Sequence, residues 1–565
     1  MNRSFRVLAL ALAVLLIGAA GLMAAGTQEA GEETTGPIIV GSISAPRTLN
    51  PLFFPSRQDS LVTNLIFDNF VMPDKEGMIV GHLVESFEIS DDGLTYTFNL
   101  HDNVTWHDGE AFNGDDVRAT FEMLAHPDYD GGMNRVGDVV GFEEFQEEPG
   151  DGLAGVTVSD DKMTVTVEIK EPSATFLPGL YFPILPEHEI VDIDLTNLEE
   201  APFNSNPVGT GPFAFEEWAV GDSITVTANK DYFLGTPKVD SVIVKFGDQV
   251  ALTSQLQTGA IDILEVDRDG YATFEGDPDF NIYTYPMLAV DYVGYRVGPG
   301  RADDTDDWLP VYNKNIRQAL AFATNKGALV EAAFGVSGYP HDSIFPRGTI
   351  ADSPNDNQYE YDVDRAKAMI EAEGYEMNSQ TGIYELDGEP LEIELIYSEG
   401  DAAAAAILKE QWSQAGVNLQ LRLLDFGALI NVLLRKSDAD GNLEGDEGYD
   451  PETAATDSPF EAYLLGFAQE SDPDEYAQYF VDDPFWNFYH YENEDVQRWF
   501  EEQAVTVDPD ERQEILHRIS EQITEDLPWF TYAGTNENVV TGANIGGYDP
   551  DTRGYTLNAH LWTLE

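Results

Sequence analysis

The chain contains no cysteine. That absence removes disulfides, thiolate nucleophiles and Cys-ligated metals together, and leaves the fold to be held by packing alone. Basic side chains are scarce as well: 29 Lys and Arg stand against 103 Asp and Glu, a formal net charge of −74 over 565 residues. Such a chain repels nucleic acid and anionic lipid at low salt. Its carboxylates recur through nearly every segment, so they describe a whole surface and not one binding site. We expect an adaptation to concentrated salt, where a Debye length of about 3 Å at 1 M screens the self-repulsion.

Signatures of catalysis are missing too. There is no Gly-x-Ser-x-Gly elbow, and His188-Glu189 lacks the second histidine of a zinc-peptidase helix because Asp192 holds the matching position. The nine histidines are scattered; His101 and His107, though near in sequence, read as surface or loop residues before metal ligands. Among 103 carboxylates a glycosidase pair cannot be told from chance. The sequence therefore predicts no enzyme, no cofactor and no bound metal; the contrary reading, an exported hydrolase, would require turnover of a peptide or glycan.

Hydrophobic residues make up 42% of the chain and aromatics 11%, enough for packed cores, and the length calls for two or three domains. Arg3 and Arg6 precede an uncharged run over 7–26 that ends in Ala24-Ala25-Gly26, which reads as a secretory signal over residues 1–25 followed by a linker over 26–36. Export to a periplasm is the expectation. The acidic, Gly-rich segment 437–457 reads as a surface insertion. Counted from Asp438, Leu443 and Tyr449 stand where a calcium loop needs Gly and Glu, so calcium is not expected there.

The most specific stretch is 83–117. Residues 84–89 and 94–100 are β-prone, with Ser90-Asp91-Asp92-Gly93 between them, and Leu94, Tyr96, Phe98 and Leu100 alternate with polar residues. Period two places those four side chains on one face of a hairpin. Asn103-Val104-Thr105-Trp106-His107-Asp108-Gly109-Glu110 and Asp115-Asp116-Val117 follow, and 156–169 repeats the hairpin pattern around Ser159-Asp160-Asp161-Lys162. Helical spacing is read over 115–124, 361–374 and 402–415, and strands over 391–397 and 417–423.

The order of these motifs resembles extracellular solute-binding proteins family 5, the peptide, nickel and oligosaccharide receptors of ABC importers. Further landmarks of the resemblance are Gly209-Thr210-Gly211-Pro212-Phe213, Asn229-Lys230-Asp231-Tyr232-Phe233, Gly259-Ala260-Ile261-Asp262 and Arg317-Gln318-Ala319-Leu320. The resemblance implies an α/β fold: a two-lobed periplasmic-binding-protein clamp (type II, cluster C) with an additional third domain. It implies a first lobe from 37–67, 188–285 and 532–565, an extra domain over 68–187, and a second lobe over 286–531 that carries the insertion 437–457. The hinge is expected near Tyr285-Pro286 and Thr531-Tyr532. The implied partners are a peptide or oligosaccharide ligand and an inner-membrane permease, with the receptor a monomer and no nucleic acid bound.

The resemblance also suggests site residues. In peptide-binding relatives a Gly-aromatic-x-x-Asp segment sets its Asp against the ligand ammonium; here Gly466-Phe467-Ala468-Gln469-Glu470 places Glu470 there, with Asp472 as the local competitor. Asp472-Pro473 also reads as a helix entry, with Asp capping. Trp486 and Tyr489 lie where the family carries a cleft-facing segment, and 53–60, with Ser56 and Arg57, matches its first ligand-side loop. Arg57 suits a carboxylate.

Overall fold

The computed structural model describes residues 36–53, 56–75, 77–129, 131, 136–298, 309–434, 460–469, 472–481 and 486–565. The proposed signal over 1–25, the insertion 437–457 and Glu470 lie outside them. Among the described residues no helix is long and apolar enough to cross a membrane.

Two long strands, Phe280–Tyr295 and Trp529–Gly542, organise the molecule. They pair antiparallel at the middle of an 11-stranded sheet. On one side follow Ile263–Glu265, Ile38–Ser42, Ser241–Phe246, Ser223–Ala228 and Phe213–Ala219; on the other, Ala462–Ala468, Glu392–Tyr397 and Asn418–Leu423, while the short strand Gly338–Pro340 pairs with Trp529–Gly542 off this path. The register between the long strands is regular from Phe280↔Gly542 to Pro286↔Asn536, breaks, and resumes at Val290↔Gly534. A bulge of this kind kinks a strand and raises its local twist. Here it separates two sets of packed side chains.

One set runs from Ile38 to Tyr285 and returns at Val539–Trp562, while the others lie between Val290 and Ala533. A four-stranded antiparallel sheet built from Val84–Ile89, Thr95–Leu100, Thr164–Glu168 and Val156–Val158 belongs to the first set. Both hairpins read from the sequence are therefore in one sheet. Their turns are alike atom for atom: Ser90 Oγ donates to Asp92 Oδ1 and Ser159 Oγ to Asp161 Oδ1, each at 2.6 Å. Gly93 holds the left-handed position of the first turn at φ 71°, and Lys162 the same position of the second at φ 63°. A lysine there carries a steric cost that glycine avoids, and its ammonium sits 2.5 Å from Asp115.

The signature motifs meet each other. Gly209 N–H donates to His107 Nδ1 at 3.2 Å, and His107 Nε2 meets the Gly211 carbonyl at 3.0 Å, which fixes the neutral Nε2–H form. Burial pushes the His107 pKa down, in keeping with that form. Gly209 must be glycine: a Cβ there would stand 2.0 Å from the Ile66 carbonyl oxygen. Beside them, buried Asp68 accepts from Thr210 Oγ1 and Tyr232 Oη, both at 2.9 Å, and pairs with His82 Nε2 at 2.9 Å. The Gly-Thr-Gly-Pro, Asn-x-x-Tyr-Phe and Trp-His-Asp-Gly segments thus form one polar knot between residues 68–107 and 209–232.

Candidate functional site

A cavity of about 550 Å³ lies at the bulge, within the range of small-ligand sites. The first core contributes the helix Arg57–Ile66, Tyr285 and the apolar face of the small sheet through Phe87, Ile89 and Tyr96. The second contributes Ala468, Gln469, Asp472 and Pro473, and Thr506, Val507, Pro509 and Arg512. Met287, Leu288 and Ala289, the residues the bulge frees from the ladder with Trp529–Gly542, form the wall between them.

Each polar wall residue is set by local structure. Ser56 caps the helix Arg57–Ile66 in a reciprocal box with Asp59, which places Arg57 at the first helical position. From there Arg57 Nη2 donates to Glu265 at 2.8 Å and also to Glu537, and Tyr285 Oη donates to the other oxygen of Glu537. Burial and then the Glu265 charge push the Tyr285 pKa up, so the hydroxyl stays a donor. Tyr96 Oη donates to the Ser173 carbonyl at 3.1 Å, and burial lifts its pKa to about 12.

Asp472 caps the short helix Pro473–Tyr476 and is also held bidentately by Arg512, at 2.6 and 2.8 Å. Both side chains are more than nine-tenths buried. Gln503 Oε1 accepts from Arg512 Nε and Nη2 at 3.0 and 2.9 Å, and the Ala174 carbonyl accepts from Nη1 at 3.4 Å. Arg512 is saturated. Gln469 is not: its backbone N–H donates to Leu288 at 2.8 Å, but its buried Oε1 has no partner among the described residues. A buried acceptor left alone costs about 1–3 kcal/mol, and this one borders the cavity.

Of the residues picked from sequence, the structure brings Arg57, Ala468 and Asp472 to the cavity wall. Ser56 stands one residue behind, as the cap. Phe467 points into an aromatic cluster, 4.6 Å from the Tyr476 ring and 5.2 Å from Tyr479. Tyr489 is fully buried among Phe480, Phe488 and Trp529, and its hydroxyl donates to the Tyr479 carbonyl. Trp486 packs edge-on against Tyr479 at 5.5 Å. Neither Trp486 nor Tyr489 borders the cavity, because apolar rings beside Trp529 gain more from the core than from the cleft.

Sequence reading passed over Gln469, Arg512, Glu537 and Tyr285 as site residues. Nothing local marks them: Arg512 meets Asp472 across 40 residues and Glu537 meets Arg57 across 480. Outside the cavity, exposed Asp108, His188 and Glu189 bring ligand-type atoms within 4.8 Å of one another, with His188 Nε2 2.6 Å from Asp108.

The model of bacterial extracellular solute-binding proteins, family 5, matches residues 78–488. A putative ABC transporter peptide-binding protein of Brucella ovis is 31% identical over 433 residues, 75% of each chain. The oligopeptide-binding protein AppA of Bacillus subtilis is 24% identical over 551 residues, 94% of this chain and 92% of that one. Among solved structures, the ABC transporter substrate-binding protein CtaP of Listeria monocytogenes superposes with a TM-score of 0.74 at 25% identity, over 94% of this chain and all of that one.

Proposed function

The chain belongs to the family 5 bacterial extracellular solute-binding proteins, and from that premise we propose that it captures a peptide in the cavity at the bulge and delivers it to the permease of an ABC importer. The observation that carries this reading is the cavity itself. Both cores wall it, and the bulge of the strand Phe280–Tyr295 lies between them. Closure by bending at Pro286–Val290 and Gly534–Asn536 would change its volume while each core stays intact, and a ligand that touches both walls stabilises the closed state selectively. The first lobe is then 37–67 with 188–285 and the C-terminal segment, the extra domain 68–187, and the second lobe 286–531. The chain is exported by its N-terminal signal to the periplasm and acts without chemistry of its own.

Three arginines and three carboxylates, Arg57, Arg512, Arg553, Asp74, Asp472 and Glu537, line the cavity. That balance sets it apart from a chain of net charge −74. Apolar Met78, Ile79, Phe87, Leu288 and Ile350 make up much of the rest. Such walls suit a peptide with apolar side chains whose main chain meets the polar groups, Gln469 Oε1 accepting one of its N–H donors. Arg57 Nε and Nη1 have no partner among the described residues and suit the ligand carboxylate. Asp472 is held by Arg512, and the family pattern over residues 466–470 assigns the ligand ammonium to Glu470.

Glu470→Gln is therefore expected to weaken a free-amino peptide by the about 2–5 kcal/mol typical of a broken buried charge pair, and to leave the N-acetylated peptide unchanged. Titration calorimetry with ligands identified by mass spectrometry of the purified protein is the measurement; equal affinity of both proteins for the free-amino peptide removes Glu470 from the site. Binding of a neutral oligosaccharide instead of any peptide would overturn the ligand assignment. The excess of carboxylates leads to a second expectation, adaptation to salt. The unfolding midpoint rises from dilute buffer to molar NaCl as screening takes hold, and a midpoint highest in dilute buffer would count against it.

A further inference from the structure

A second cavity of about 240 Å³ adjoins the first and shares Arg57, Leu61, Met287, Glu537 and Tyr555 with it. Its other walls mix polar Ser42, Gln249, Asp267, Ser337 and Asn538 with apolar Ile43, Leu264 and Val266. Three carboxylates, Glu265, Asp267 and Glu537, share its wall with Arg57, the one cation there among the described residues. We infer that the Arg57 guanidinium, bridged to Glu265 and Glu537, is a partition that limits ligand length by dividing the main cavity from this acidic annex.

The geometry favours a divider over a ligand hook alone. Arg57 spends Nη2 on both glutamates, has no partner for Nε and Nη1 among the described residues, and borders both cavities. Glu537 is pinned from its other side by Tyr285. Arg57, Glu265 and Glu537 come from the helix Arg57–Ile66, the strand Ile263–Glu265 and the part of the strand Trp529–Gly542 that pairs with residues 280–286, all on the first-core side of the bulge. Bending at the bulge therefore leaves the bridge in place. The glutamate side chains are 36% and 10% exposed, so a cation removed from between them leaves two partly desolvated like charges that attract a replacement. A ligand end that reaches Arg57 stops there. With the guanidinium gone the two spaces join, and what enters the annex is a positively charged group.

This deepens the peptide reading and rests on it, so the experiment has two arms. The wild-type protein and Arg57→Ala are titrated with Ala-Ala-Ala and with the same peptide extended by one lysine at either end. The wild type should prefer the short peptide and the variant one of the extended peptides, a reversal of about tenfold or more. Loss of affinity for all three peptides by one common factor overturns the partition. The second arm needs no peptide: ethylguanidinium at millimolar concentration, compared with NaCl of equal ionic strength, should raise the unfolding midpoint of Arg57→Ala but of neither the wild type nor Arg57→Ala combined with Glu265→Gln and Glu537→Gln. If no peptide binds any of the proteins, the peptide reading falls while this arm still decides the partition. An equal response of all three proteins to ethylguanidinium refutes it.

Discussion

Arg512→Ala should lower the free energy of unfolding by about 3–5 kcal/mol, a large part of what holds most domains together. The reason is the carboxylate left behind. Asp472 is 6% exposed and takes both of its guanidinium contacts from Arg512. Removing the arginine strands that charge and also leaves Gln503 Oε1, on a side chain with no exposure, without its two guanidinium donors. Removing both charges should cost less than the sum of the single losses, since no ion is then buried alone. Urea denaturation of Arg512→Ala, Asp472→Ala and the double variant closes the cycle. Strict additivity of the two single losses would mean that the pair is not coupled. Because Arg512 also reaches the Ala174 carbonyl, and Ala174 N–H donates to the Ala504 carbonyl at 2.7 Å, the loss falls at the edge of the ligand cavity.

The second large effect is one of pH. Asp356 is 6% exposed; Ser520 Oγ donates to its Oδ2 at 2.7 Å, and Oδ1 has no partner among the described residues. Burial raises its pKa to about 7, against the lowering by Ser520 and Ser343 and with a further push from Asp352 and Glu521. Lys326, whose ammonium feels the Asp356 charge, is taken by Asp342 at 2.5 Å. A folded pKa above the unfolded one adds stability that is complete below the unfolded value and lost as pH rises through about 7. At pH 8 the buried charge is therefore a cost, with a ceiling of about 4 kcal/mol for a shift of this size.

Asp356→Asn should remove that cost and raise the unfolding midpoint much more at pH 8 than at pH 5, where only the first part of the loss above the unfolded carboxylate value has been incurred. Asp291, raised to about 7 by burial and then by Asp401, keeps some of the slope in the variant. His341 works in the other direction: its pKa is lowered to about 4 by burial, so stability falls as pH drops below the unfolded histidine value. Calorimetric scans from pH 5 to 8 separate these cases. An offset of equal size at every pH would show that Asp356 does not titrate in this window.

Family and local elements were legible because they depend on short-range order. The turn Ser90-Asp91-Asp92-Gly93, the cap Asp472-Pro473, and helices close to the expected 115–124 and 402–415 are found where their residues suggest. The α/β clamp of the solute-binding family is the fold that the matching structures share. Less visible were the two central strands. Phe280–Tyr295 carries Pro286 and an interrupted alternation, since it is buried on both faces in one half and bulged in the middle. A strand of that kind does not read by period two. The site suffered similarly: its motifs of highest specificity serve the Asp68 and His107 knot, while the cavity is lined by Gln469, Arg512 and Glu537, which only tertiary pairing brings together.

The place of the strand Trp529–Gly542 governs how the chain can fold as it is made. It lies between Phe280–Tyr295 and Ile263–Glu265, so the first half of the sheet lacks its central member until more than five hundred residues have emerged. Both sets of cores wait for that strand, since Val539 belongs to the first and Trp529, Phe530, Tyr532 and Ala533 to the others. Sequence-distant pairing of this kind is slow and exposes strand edges to other chains. A nascent chain of this architecture stays unfinished, and hence able to be threaded, until its last stretch arrives.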